Sequence, residues 1–266
     1  MHDVEFFPFR ALLCPLFCAA LLACTLTRDL DGLTDNHLSD PWSCLGQPAW
    51  TTKPRPETIR VISMDGASSA TPEKGSYKIV PGVRFKVCYL RDPECKNPIH
   101  GPTVVPDSGT VDIPTPATDN FYFEYESDSV YAPGVTYLTL SRDRLEKPIF
   151  LASMPIDSLP DLVKLVRVTL DPQKAVLIVR VLSCDHDSSG VVGATLRTEP
   201  EWRVYYSSSG IPTPHASAMD TDGMAGLINL DEGTLSIYAT RADGIPLGMI
   251  SVNVRPGVFH VATVGP

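Results

Sequence analysis

Ala175-Val176-Leu177-Ile178-Val179-Arg180-Val181-Leu182 holds seven apolar residues out of eight, and four of the seven are β-branched. A run of this length and composition reads as a strand of central character, too short for a helix of ordinary size. Downstream, residues 201–206, 226–230, 234–239, 249–254 and 259–264 carry the same alternating or β-branched signature. Between them stand Asp222-Gly223, Asp231-Glu232-Gly233, Asp243-Gly244 and Pro256-Gly257, turn residues that supply the positive φ a hairpin needs. About seven strands in about 95 residues is the size of a β-sandwich.

Upstream, residues 59–62, 83–87, 121–125 and 135–140 repeat the pattern more thinly, each bounded by Gly, Pro or Asp. The two halves are weakly alike: the run 107–113, like 223–230, places a glycine turn before an alternating strand. One helix is expected between them. Ser158 can cap it, Pro160 is tolerated in a first turn, and Leu159, Leu162, Val163 and Val166 share a face. The expected fold is all-β, two prealbumin/Ig-like β-sandwich domains (57–156 and 171–266) joined by a short connector helix (157–170). Twenty-five prolines and 18 glycines in 266 residues fit this and exclude a helical bundle. Lys and Arg number 22 against 31 Asp and Glu, a net charge of −9, which argues against a nucleic-acid partner.

The N-terminal region differs. Residues 11–23, ALLCPLFCAALLA, form a thirteen-residue uncharged run. That is too short to span a bilayer and fits the apolar core of a secretory signal (1–23). It closes on Leu21-Leu22-Ala23-Cys24, which resembles a bacterial lipobox and implies cleavage before Cys24 and its lipidation. The acidic start, with Asp3 and Glu5 against Arg10, and Pro15 within the run count against it, and the alternative is an ordinary cleaved signal or a chance apolar stretch. Residues 24–56 are polar and proline-ended, the composition of a flexible, disordered tether. Trp42, Leu45 and Trp50 within it either dock on the first domain or form the sticky end of the linker.

Val179-Arg180-Val181-Leu182-Ser183-Cys184 followed by Val191-Val192-Gly193-Ala194-Thr195 resembles the opening of a carboxypeptidase-regulatory-like domain. Asp220-Thr221-Asp222-Gly223-Met224-Ala225-Gly226, residues 229–233 and Val254-Arg255-Pro256-Gly257 extend the resemblance. It implies a prealbumin (transthyretin-like) sandwich over 157–266, and it carries no catalytic residue. The tether with Asp40-Pro41-Trp42-Ser43-Cys44-Leu45-Gly46 further resembles surface lipoproteins of myxobacteria, which implies a cell-surface location, and Thr25 rather than Asp after Cys24 implies, by resemblance to enteric lipoproteins, the outer membrane.

Once Cys14 and Cys18 leave with the signal and Cys24 takes lipid, Cys44, Cys88, Cys95 and Cys184 remain. Cys88 and Cys95 enclose a strand end and a turn, so a local disulfide is expected. Cys44 either pairs with Cys184, or Cys184 stays free and buried. No His stands in finger-like spacing to these cysteines, which argues against zinc. Asp220-Thr221-Asp222-Gly223 faintly resembles the start of a calcium loop, but Met224 stands where a third oxygen ligand belongs, so a hairpin turn is the simpler reading. Neither a G-x-S-x-G elbow, an H-E-x-x-H pair nor a phosphate-binding glycine loop occurs. Asp185-His186-Asp187 reads as a solvated turn.

Trp202, Val204 and Tyr206 fall on one face of a strand and Tyr205 on the other, which assigns Trp202 and Tyr206 to a core rather than to a sugar platform. The expected function is therefore a non-catalytic, lipid-anchored surface module without cofactor or metal, structural or protein-binding. Its partners are the membrane, through the anchor, and another surface protein or glycan. A carbohydrate- or cell-wall-binding receptor is the alternative. An enzyme would have to use acids such as Asp185, Asp187 or Asp220 beside a cleft.

Overall fold

The computed structural model describes residues 56–67, 77–118, 120–126, 129–138, 145, 147–183 and 191–265. The signal, Cys24, the tether up to residue 55, Cys44, Cys184 and the Asp185-His186-Asp187 turn lie outside the described residues. Fifteen strands and one helix are found among those described. In chain order they are β1 (Thr58–Asp65), β2 (Arg84–Tyr89), β3 (His100–Val104), β4 (Thr110–Pro114), β5 (Phe121–Glu126), β6 (Gly134–Leu138), β7 (Ile149–Ser153), α1 (Ser158–Lys164) and β8 (Ala175–Val181). There follow β9 (Thr195–Glu199), β10 (Tyr205–Ser208), β11 (Ile211–Pro212), β12 (Met224–Leu230), β13 (Gly233–Thr240), β14 (Pro246–Val254) and β15 (Phe259–Val264). The chain is an all-β sandwich protein.

Three sheets make it. The middle sheet has nine strands in the order β11-β10-β12-β8-β15-β6-β5-β2-β3, and two three-stranded sheets, β4-β1-β7 and β14-β13-β9, pack against it. Along β5, Phe121, Phe123 and Tyr125 alternate with Tyr122, and all four rings are buried, because this strand is covered on both faces. The phenylalanine side meets Ile59, Val61, Ile149 and Leu151 of the β4-β1-β7 sheet in one hydrophobic core. The opposite side carries Tyr122, Val135, Tyr137, Leu177, Val179 and Ala262, which meet Leu235, Ile237, Ile250 and Val252 of the other outer sheet in a second core.

The first core draws on residues 57–156, and the second joins Cys88, Tyr122, Val135 and Tyr137 of that stretch to residues from 175 onward. The C-terminal strand β15 lies between β6 of the first half and β8 of the second, parallel to both, with Phe259 to Thr263 opposite Gly134 to Leu138. One continuous sheet therefore runs through both halves. The helix is shorter than the connector expected over 157–170, and its N-cap is Asp157, without a side-chain capping bond, rather than Ser158. Instead of standing as a free linker it sets Leu159 into a small third core with Met154, Val176 and Phe259. Residues 201–204, expected to open a strand, lie before β10, which begins only at Tyr205.

The Cys88–Cys95 disulfide is formed, with a Cα–Cα distance of 5.3 Å, and both residues are buried. The turn it closes is also held by the Tyr122 hydroxyl, which donates to the Asp92 carbonyl at 2.8 Å, and by the Asp92 carboxylate, which accepts the amides of Lys96 and Asn97. A loop this short contributes about 2 kcal/mol through restriction of the unfolded chain. Replacing both cysteines by alanine is expected to lower unfolding stability by that amount in urea titrations. A change near zero would mean that the Tyr122 and Asp92 bonds hold the turn alone.

Candidate binding groove

β5 is packed on both faces, whereas Thr136 and Leu138 of β6 already line a groove that continues over β15, β8 and β12. The β4-β1-β7 sheet stops at β7, and past it the odd-phase side chains of β15 line the groove, Val261 half-buried and Phe259 and Thr263 buried. Ile178 and Arg180 of β8, with Met224 and Gly226 of β12, continue the same face. These form the floor of the groove, which has a volume of about 450 Å³. One wall comes from Met64, Phe150 and Ala152, the outward side of β1 and β7. The other comes from Leu162 and Leu165 of the helix region, with Leu165 49% exposed. The β10–β11 hairpin, through Ser207, Gly210 and Pro212, closes the far end.

The groove is apolar with a polar fringe. Asp161 stands at its helical rim and is held by Lys164 Nζ at 2.8 Å. At the hairpin end the buried Asp222 carboxylate accepts hydrogen bonds from Ser207 Oγ at 2.6 Å, from the Gly210 amide at 2.6 Å and from the Met224 amide at 3.0 Å. Asp220 accepts from Ser208 Oγ at 2.6 Å and from the Thr221 amide, and these bonds hold its carboxyl below the usual range. Both acids of the calcium-like sequence thus brace the β10–β11 hairpin against the start of β12. Their oxygens are engaged by the protein's own donors, as a turn requires.

Trp202 and Tyr206 lie on the side away from Tyr205, although Trp202 precedes β10 and stands in no strand. Trp202, Val204 and Tyr206 pack on the second core, where the Tyr206 hydroxyl accepts the Leu196 amide at 3.0 Å. Tyr205 lies on the groove face, with the Arg203 guanidinium 4.9 Å from its ring centre. Trp202 is only half-buried, and its outer side joins Glu201, Asp231 and Glu232 around a smaller cavity of about 270 Å³. Cys88, Cys95 and Glu124 place potential metal ligands within 4.8 Å of one another, but the two sulfurs are bonded to each other, so neither is a thiolate.

No family model matches the chain, and no curated protein matches it. Among solved structures, the chain is similar to the Bacillus anthracis TIE protein at 9% identity and a TM-score of 0.25, over 78% of this chain and 34% of that one. It is also similar to a fimbrial protein from Bacteroides ovatus at 10% identity and a TM-score of 0.20, over 80% of this chain and 49% of that one. The chain thus spans about a third and about half of those two proteins. Likeness at this level assigns the chain neither a topology nor a role. The carboxypeptidase-regulatory resemblance has no family match behind it, and the sandwich architecture is the part of it that the structure bears out.

The groove itself was not legible in the sequence. Its floor comes from three strands whose inward residues had already marked them as core elements, and the exposure of the second face depends on where β7 ends. A weak signal did exist: Gly226, Thr263 and Ser207 put small or polar residues on one phase of otherwise apolar strands. His260 was equally missed as a buried group, although its phase in β15 is that of Ala262 and Val264. Among the described residues, no helix is long and apolar enough to cross a membrane.

Proposed function

We propose that the protein is a non-catalytic surface module that binds an apolar segment of another protein in the groove beside β7, and that it is held at the membrane by a lipid on Cys24. The observation that carries the binding reading is the uncovered face of β15, β8 and β12. A sheet face that bears the half-buried Val261, Ile178 and Met224 gains from being covered, and apolar surface removed from water is worth about 25 cal/mol per Å². The exposed Leu165 and half-buried Leu162 at the rim extend the apolar surface beyond the floor, as a contact with a larger partner requires. The anchor rests on the lipobox-like Leu21-Leu22-Ala23-Cys24 alone.

A photoreactive phenylalanine analogue placed at Leu162 tests the binding reading in cells that make the full chain. A discrete protein adduct that disappears when Gly226 is replaced by tryptophan, which fills the floor, is the expected result. Adducts to lipid only, or none, would remove protein binding as the role of the groove. Intact mass of the membrane-extracted protein, beside a Cys24→Ala variant, tests the anchor separately.

The alternative of a glycan receptor is favoured by one feature, the cavity where Trp202 stands beside Glu201, Asp231 and Glu232. An indole face with carboxylates at its edge suits a sugar ring. It ranks second because Trp202 packs on the second core with its inner side.

A further inference from the structure

We propose that β14 is a self-pairing edge, and that two copies of this chain join by laying it antiparallel against itself. β14 is the outermost strand of its sheet and, among the described residues, pairs with β13 alone, Asn253 opposite Thr234, Ser251 opposite Ser236 and Met249 opposite Tyr238. The Asn253 amide donates to the Tyr137 hydroxyl at 3.2 Å, and that hydroxyl donates to the Asn253 carbonyl at 2.9 Å. The main-chain groups of Asn253 therefore point away from β13. Antiparallel ladders alternate, so those of Ser251 and Met249 point the same way, out from the sheet. Tyr137 closes the edge at Asn253; among the described residues no strand pairs with the outward main-chain groups of Met249 and Ser251, whose side chains are exposed.

Exposed edges are normally blunted by charge, proline, shortness or a cover. β4 carries Asp112 and ends at Pro114, β3 contains Pro102, and β9 carries Arg197 and Glu199. β11 has two residues, and on β7 the Tyr125 hydroxyl takes the Ala152 carbonyl at 2.8 Å. β14, with nine residues reading PLGMISVNV, has no charged side chain, and its proline stands at the first position. A chain of net charge −9 repels its own copy, so a contact of like with like needs a neutral seam, and β14 provides one.

A two-fold axis at Ile250 sets Met249 of one copy opposite Ser251 of the other, twice, so both pairs of outward amides and carbonyls are used. The half-turn relation makes the contact closed, and a dimer rather than a fibre results. The two outer sheets then become one six-stranded sheet.

Sedimentation of the full chain in a mild non-ionic detergent, from low to high micromolar, reads the assembly, and hydrogen exchange reads its place. The expected result is a monomer–dimer equilibrium in which the Met249 and Ser251 amides slow as concentration rises. Met249→Lys with Ser251→Lys sets like charges across the seam and should weaken the dimer by about tenfold or more. Thr195→Lys, on the far edge strand of the same sheet, should leave it unchanged. A chain that stays monomeric throughout overturns the proposal. So does a dimer indifferent to the two lysines, or one in which those amides exchange at the same rate at every concentration.

Discussion

Gly134→Ala is expected to destabilise the protein by about 3 kcal/mol or more, one of the largest effects of any single methyl group in the chain. Gly134 lies in β6 directly opposite Tyr125 of β5, and the Tyr125 ring lies across it so closely that a Cβ would fall among the ring atoms. The ring has nowhere to go. It is 1% exposed, packed in the first core, and its hydroxyl is committed to the Ala152 carbonyl of β7. Making room means either pulling β5 from β6 or turning the ring out, which breaks the bond that joins the middle sheet to the outer one. Urea unfolding of the variant measures the loss, and Tyr125→Leu in the same background should recover part of it. A Gly134→Ala protein within 1 kcal/mol of the parent would show that the strands spread easily, against this account.

The second large effect is on pH. His260 is fully buried in β15, stacked on Tyr137 with ring centres 6.2 Å apart, and its Nε2 accepts the Arg255 amide at 3.1 Å. Burial is the main cause that pushes its pKa down, to about 4, and the nearby Arg255 charge adds to the shift. The folded protein therefore keeps the imidazole neutral where the unfolded chain, near 6.5, takes up a proton. Stability contributed by the neutral ring is whole above pH 6.5, falls as pH drops, and is lost below about 4, a decline of about 3 kcal/mol over the window. The held carboxylates act lower: Asp112 beside Arg60, and Asp243, drawn to about 2 by Arg241, lose their contributions only below the ordinary aspartate range. His260→Phe should remove the slope between pH 6.5 and 4.5 while leaving the acid limb. An unchanged slope in that variant would mean that another group titrates there.

What was legible in the sequence was local. The alternation of β8, β12, β13, β14 and β15 and the glycine turns between them are set by neighbouring residues, so these strands stand close to where the pattern put them. The Cys88–Cys95 pair was readable for the same reason, with seven positions and one turn between the sulfurs. What was not legible depends on residues far apart in the chain. β6 and β15 meet across more than a hundred residues, and nothing in Gly134-Val135-Thr136 announces Phe259-His260-Val261 as its neighbour. β7 was missed because Ile149-Phe150-Leu151-Ala152-Ser153 is short and follows no hairpin turn; its partner β1 lies parallel to it at the other end of the first half. The groove inherits both uncertainties, since its floor is set by the β15 insertion and its wall by the end of β7.

The parallel seam also has a mechanical meaning. Strands peeled apart from one end yield one hydrogen bond at a time. Strands drawn lengthwise past each other yield only when the whole ladder gives way. β15 is held on both sides by parallel neighbours, five residue pairs with β6 and six with β8. A pull along the strand axis that tends to slide one half past the other loads these ladders in shear. A tension that would swing a hinged pair of domains apart is instead carried straight through, and the molecule behaves as a stiff link.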